Sequence, residues 1–120
     1  MADKIHLPEP DADERGPYAL IGSCRAKPGS ADALEALILG LVKPIRSEAG
    51  AIEFHVHRDR ADRDVFVIYE IYRSLAELKL HISLPYTQSF IENVKPLVDG
   101  GLKQQFLRMS SALPAPSTAG

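Results

Sequence analysis

Val65-Phe-Val-Ile-Tyr-Glu-Ile-Tyr-Arg-Ser-Leu-Ala-Glu-Leu-Lys-Leu-His81 is the stretch from which the fold is read. From Val65 to Tyr72 almost every side chain is apolar or aromatic, so both faces of this strand are expected to be covered. Glu70 is the exception, and a carboxylate in such surroundings needs either a structural partner or a role in a site. Ser74 then starts a helix that carries Leu75, Leu78 and Ile82 on one side, with His81 beside them.

Working backwards, Ala51-Ile-Glu-Phe-His-Val-His57 alternates with period two and reads as a second strand. The charged run Arg58–Asp64 turns it into an antiparallel hairpin with Val65–Tyr72. Before it, Leu34, Leu37, Ile38, Leu41, Val42 and Ile45 follow helical spacing, with Ser30 placed as N-cap. Pro44 is expected to kink that helix, and Gly50 to end it in a left-handed conformation. Tyr18–Ala26 is the first strand, stopped by Lys27-Pro28-Gly29. Past Leu84-Pro85 a second helical piece carries Phe90 and Val94, Gly100-Gly101 is expected to stop it, and Leu102–Met109 is the last strand.

The order βαββαβ predicts an α+β, ferredoxin-like domain: a four-stranded antiparallel sheet with two helices on one face. The other face would then expose the apolar side chains of Val65–Tyr72, and a homodimer packed sheet to sheet is the economical solution. Residues 17–109 form the domain. Residues 1–16, with five acidic side chains and few apolar ones, read as a flexible arm, and 110–120 as a disordered low-complexity tail.

Composition sets the outer limits. A hydrophobic content of 45% and a charged content of 25% are ordinary for a soluble domain. A net charge of −2 without a basic stripe gives no footprint for nucleic acid. No apolar run is long enough to span a membrane, and the acidic first residues do not resemble a signal peptide. The single cysteine, Cys24, predicts a reducing, cytoplasmic setting and reads as a buried apolar residue. His55-x-His57 beside Glu53 has metal-ligand spacing, but that face is read as solvent or interface rather than as a metal site.

Several of these pieces occur together in one known pattern. A strand ending Lys27-Pro28-Gly29, Glu48-Ala-Gly50 leading into Phe54-His-Val-His-Arg-Asp59, Phe66-x-x-x-Glu70-x-Tyr72-x-Ser74, and His81-x-x-x-Pro85-Tyr86-x-x-x-Phe90 resemble the antibiotic biosynthesis monooxygenase family. The resemblance implies a dimeric α+β barrel. It also implies a cofactor-independent monooxygenase that oxidises an electron-rich aromatic, a quinol or polyketide-like phenol, with molecular oxygen. The haem-degrading branch of the family places an Asn on the first strand and a Trp on the second helix. Here Gly22 and His81 stand near those places and the chain has no Trp, so haem degradation is not expected.

In this reading His81 is the catalytic base, an imidazole able to take a proton near neutral pH. Glu70 would assist it, unless it pairs with Arg25 or Arg73 as structure. Tyr72, Tyr86 and Phe90 are expected to bind the ring, with Arg25 as a further substrate-binding candidate. No cofactor or metal is assigned. Two alternatives stay open: an isomerase of a small hydroxy-ketone, phosphorylated or not, which would use Arg25 or Lys79 as a cationic patch for a phosphate, and a non-catalytic dimeric ligand-binding or stress-related barrel.

Overall fold

The computed structural model describes residues 16–114, so the acidic arm up to residue 15 and the tail from residue 115 lie outside the described residues. Four strands, β1 (Tyr18–Ala26), β2 (Ala51–Arg58), β3 (Val65–Tyr72) and β4 (Val98–Arg108), form one antiparallel sheet in the order β2-β3-β1-β4. Each predicted helix is split. The first is α1 (Ala31–Leu39) followed by α2 (Val42–Arg46), and the second is α3 (Leu75–Ser83) followed by α4 (Pro85–Val94). This is the α+β, ferredoxin-like arrangement expected from the sequence.

The alternation of each strand decides what the helices cover. Leu20, Cys24, Phe54, Phe66, Ile68 and Tyr72 turn to the helices, where Leu34, Ile38, Ile45, Leu78, Phe90 and Val94 meet them in the core. Ile21, Val65, Val67 and Tyr69 alternate to the opposite face and are only half-buried there.

The breaks in the helices have local causes. Pro44 does not kink a continuous helix; the chain breaks three to four residues earlier, at Gly40–Leu41, and restarts at Val42. Pro44 thereby falls in the first turn of α2, where its missing N–H has no intrahelical partner to lose. At Leu84 the residue before proline adopts extended backbone, φ −66° and ψ 142°, and Pro85 opens α4 at its first position.

Three local expectations are corrected. Ser30 occupies the N-cap position of α1 but makes no side-chain cap bond, because its backbone lies at φ −104° and ψ 0° instead of being extended. Gly100 and Gly101 do not stop a helix. A 3-10 turn at Lys95–Leu97 has already ended it, and both glycines lie inside β4 with positive φ, next to the irregularity in the β1 and β4 pairing at Ser23–Arg25. Gly50 is not left-handed. It is small because of what it faces: a Cβ there would run into the side chain of Glu77 on α3.

That close approach is tested by Gly50→Ala. It should destabilise the fold by about 1–3 kcal/mol in urea unfolding. A Glu77→Ala background should recover most of the loss, because the obstructing side chain is then absent.

Candidate active site

Five of the sequence-predicted residues, His81, Glu70, Tyr72, Tyr86 and Phe90, converge on the space between α3, α4 and the sheet. Ser74 caps α3 by accepting a hydrogen bond from Glu77 N at 3.2 Å, which fixes the helix directly after β3 and carries His81 back over the end of that strand. His81 is buried, and its ring lies 4.9 Å from the ring of Tyr72 at an interplanar angle of 31°. Tyr72 donates to Glu70 Oε1 at 2.7 Å. Glu70 Oε1 is 3.7 Å from His81 Nε2, within ion-pair range but beyond a hydrogen bond.

The decisive partner is one to which the sequence reading assigned no role. Glu48, in the loop after α2, approaches His81 Nδ1 with Oε2 at 2.9 Å and Oε1 at 3.2 Å. Tyr86 also donates its hydroxyl to Glu48 Oε2. An ionised carboxylate only accepts, so Glu48 places the imidazole proton on Nδ1 and leaves the Nε2 lone pair on the side of Glu70. Five side chains therefore form one connected set: Tyr86, Glu48, His81, Glu70 and Tyr72.

The two carboxylates differ in surroundings. Burial pushes the Glu70 carboxyl above its ordinary range. The Tyr72 hydrogen bond and His81 oppose that rise, and the charge of Glu48 adds to it. Tyr72 is raised above its usual phenol value, first by burial and then by Glu70. Tyr86 is raised by burial and by its bond to Glu48.

These groups border a cavity that encloses about 70 Å³. Glu70 and His81 line it with Phe90, Phe54, Ile68 and Leu78, and it reaches β4 at the exposed residues Leu102 and Gln104. Phe90 thus forms part of the cavity wall. Tyr72 and Tyr86 stand behind the wall, bonded to the carboxylates. Thr87, which the sequence reading passed over, is a buried lining residue. Cys24 also lines the cavity, with its thiol pushed up to about 11 by burial, and so stays a protonated, weakly nucleophilic group at neutral pH.

Arg25 is elsewhere. It pairs with Asp62 at 2.6 Å and is exposed, on the strand face away from the helices. Arg73 donates to the Ala49 carbonyl at 3.0 Å. His55 and His57 bind Arg46 and the Val67 carbonyl respectively, and no group of three potential ligands gathers around a metal position among the described residues.

Fold and cavity together define a small ferredoxin-like protein with an imidazole held between a buried carboxylate, Glu70, and a half-buried one, Glu48. The chain belongs to the antibiotic biosynthesis monooxygenase family, whose sequence profile matches residues 17–93. It is 30% identical over 97 residues to an uncharacterized protein of Synechocystis; the match takes in 77% of this chain and spans 66% of that relative's length. A crystal structure of a Pseudomonas aeruginosa protein superposes with a TM-score of 0.74 at 33% identity, covering 79% of this chain and 95% of that one. A Mycobacterium tuberculosis protein shares the fold at a TM-score of 0.73 and 23% identity, covering 87% of this chain and 100% of its own. Among the described residues no helix is long and apolar enough to cross a membrane.

The raised Glu70 carboxyl has a consequence for stability. Between the ordinary value of 4.5 and its higher folded value, the folded chain binds a proton that the unfolded chain has released, so rising pH weakens the fold through that window. Glu70→Gln keeps an acceptor for Tyr72 and removes the titration. Its urea midpoint should fall less steeply with pH above 4.5 than that of the native chain; parallel curves would contradict the assignment.

Proposed function

We propose that the chain is a cofactor-independent monooxygenase that oxidises a single-ring quinol or related phenol with molecular oxygen. The observation that carries this reading is the Glu48 and His81 pair, which holds Nδ1 at 2.9 Å and turns Nε2 toward Glu70 at the edge of an apolar cavity. Family membership supports oxygenase chemistry of this type.

The residues divide the labour in a simple way. His81 Nε2 takes a proton from the ring hydroxyl, and Glu48 stabilises the imidazolium that forms. Ile68, Leu78 and Phe90 exclude water around the anion, which raises its tendency to pass electrons to oxygen. Glu70, whose carboxyl burial shifts toward its neutral form, stands beside His81 Nε2, where in that form it donates a hydrogen bond to oxygen atoms as they gain charge. The overall balance for a quinol is one O2 consumed, one oxygen atom bonded to a ring carbon, and the other released as water with the two hydrogens lost by the ring. The product is a hydroxyquinone, so the quinol supplies all four electrons.

Cavity size favours one ring over a fused polycycle. The enclosed volume of about 70 Å³ is roughly half of the ~150 Å³ that takes benzene in an engineered apolar cavity. The ring therefore extends toward Leu102 and Gln104, with any larger substituent outside. The isomerase reading would use a cation at the cavity, and neither of its two candidates is there: Arg25 is paired with Asp62, and Lys79 is exposed and absent from the lining, whose one cation among the described residues is the exposed Lys103 on β4.

The half-buried Ile21, Val65, Val67 and Tyr69 support a second proposal, that two copies pack sheet to sheet. Sedimentation at micromolar concentration should give twice the chain mass; Val67→Asp should shift it to the monomer, and a native monomer would overturn the proposal.

Oxygen uptake with methylhydroquinone tests the chemistry. His81→Ala should lower kcat by about 10²–10⁴-fold, and Glu48→Gln by about 10–100-fold, both with native circular dichroism. Native protein that consumes no oxygen with any single-ring quinol would refute the reading.

A further inference from the structure

The cavity holds a polar group that the acid–base set does not use. Thr87 is 7% exposed, lines the same cavity as His81 and Glu70, and its Oγ1 has no hydrogen-bond partner. Buried hydroxyls are nearly always satisfied, and a threonine in a helix usually bonds the carbonyl three or four residues back. Ser83, one turn earlier, does so by donating to the Leu80 carbonyl at 2.7 Å. Thr87 does not: it is the third residue of α4, directly after the break at Leu84-Pro85, and the Leu84 carbonyl three residues back accepts from Gln88 N at 3.1 Å.

We infer that Thr87 is a specificity-determining residue whose hydroxyl binds a second oxygen substituent on the ring that presents its first hydroxyl to His81. A hydroxyl fixed on the wall of an apolar cavity, with no partner in the protein, leaves that hydrogen bond to the ligand. The remaining lining near it, Phe90 and Ile91, is apolar and offers the ring faces rather than polar contacts. Selection then works by exclusion as well as attraction: a ring with one oxygen leaves Thr87 buried and unpaired, whereas a ring with two satisfies it. The inference rests on the proposal that a single ring enters this cavity, and it does not depend on whether oxygen then reacts.

Anaerobic calorimetry with two probes, hydroquinone and phenol, tests it. The native protein should bind hydroquinone about tenfold more tightly than phenol. Thr87→Val should lose that preference while keeping its affinity for phenol, and Thr87→Ser should retain it. If Thr87→Val does not fold, Thr87→Ala serves for the same comparison. Equal affinities in the native protein, a preference that survives the loss of the hydroxyl, or no binding of either probe would each overturn the inference. A preference that depends on Thr87 in a protein that consumes no oxygen would uphold the subsite and refute only the monooxygenase reading.

Discussion

The site depends on how closely the start of β2 can approach the start of α3. Ala51 pairs with Tyr72, the Gly50 carbonyl accepts from Arg73 N at 2.9 Å, and Arg73 reaches back to the Ala49 carbonyl. These bonds close only because Gly50 presents no Cβ to Glu77. The register carries Glu48 to the flank of the helix that leaves Tyr72, and His81, just under two turns along it, meets the carboxylate. A backbone constraint at one glycine thus sets the geometry of an acid–base pair 33 residues apart in sequence.

Two carboxylates around one imidazole would be redundant if their surroundings matched. They do not match. Glu48 is held by donors, Tyr86 and His81 Nδ1, which suit its charged form. Glu70 lies on the central strand β3, where burial favours the neutral form. Like charges on both sides of one imidazole would oppose each other, and the charge of Glu48 is one of the causes that raise Glu70. Tyr72 adds to this by binding Glu70 and by lying against the His81 ring, so one aromatic fixes the position of both groups.

Much of the fold is written in local patterns. The alternation of Ala51–His57, the doubly apolar Val65–Tyr72 and the Leu84-Pro85 break are properties of adjacent residues, and the elements form where those patterns place them. Glu70 and His81 were legible for the same reason, as polar groups within apolar surroundings. Glu48 was not, because nothing within ten residues of it shows that a strand register will bring it to α3. Thr87 was hidden differently: a threonine in the first turn of a helix is unremarkable until the structure shows its hydroxyl buried without a partner. Arg25 was misplaced by alternation alone, since one step along β1 separates the helix-covered face of Cys24 from the face where Arg25 meets Asp62.

The same alternation explains why the pocket lies where it does. On the helix-covered face, Gly22 of β1 pairs with Ile68 and with Gln104, so the middle of the sheet carries no side chain at the point where β1 passes beneath α4. A Cβ at Gly22 would find only ordinary contacts, at 3.9 Å from Ile68 and from the Lys103 carbonyl, so the glycine is not forced by crowding. Its effect is to leave room. With a larger residue there, the core would close over Phe90 and Ile68, and the Nε2 lone pair of His81 would face packed hydrocarbon instead of a space that a ring can enter. The glycine on β1 and the helix break at Leu84-Pro85 therefore act on one cavity from opposite sides, one by omitting a side chain and the other by turning Thr87 inward.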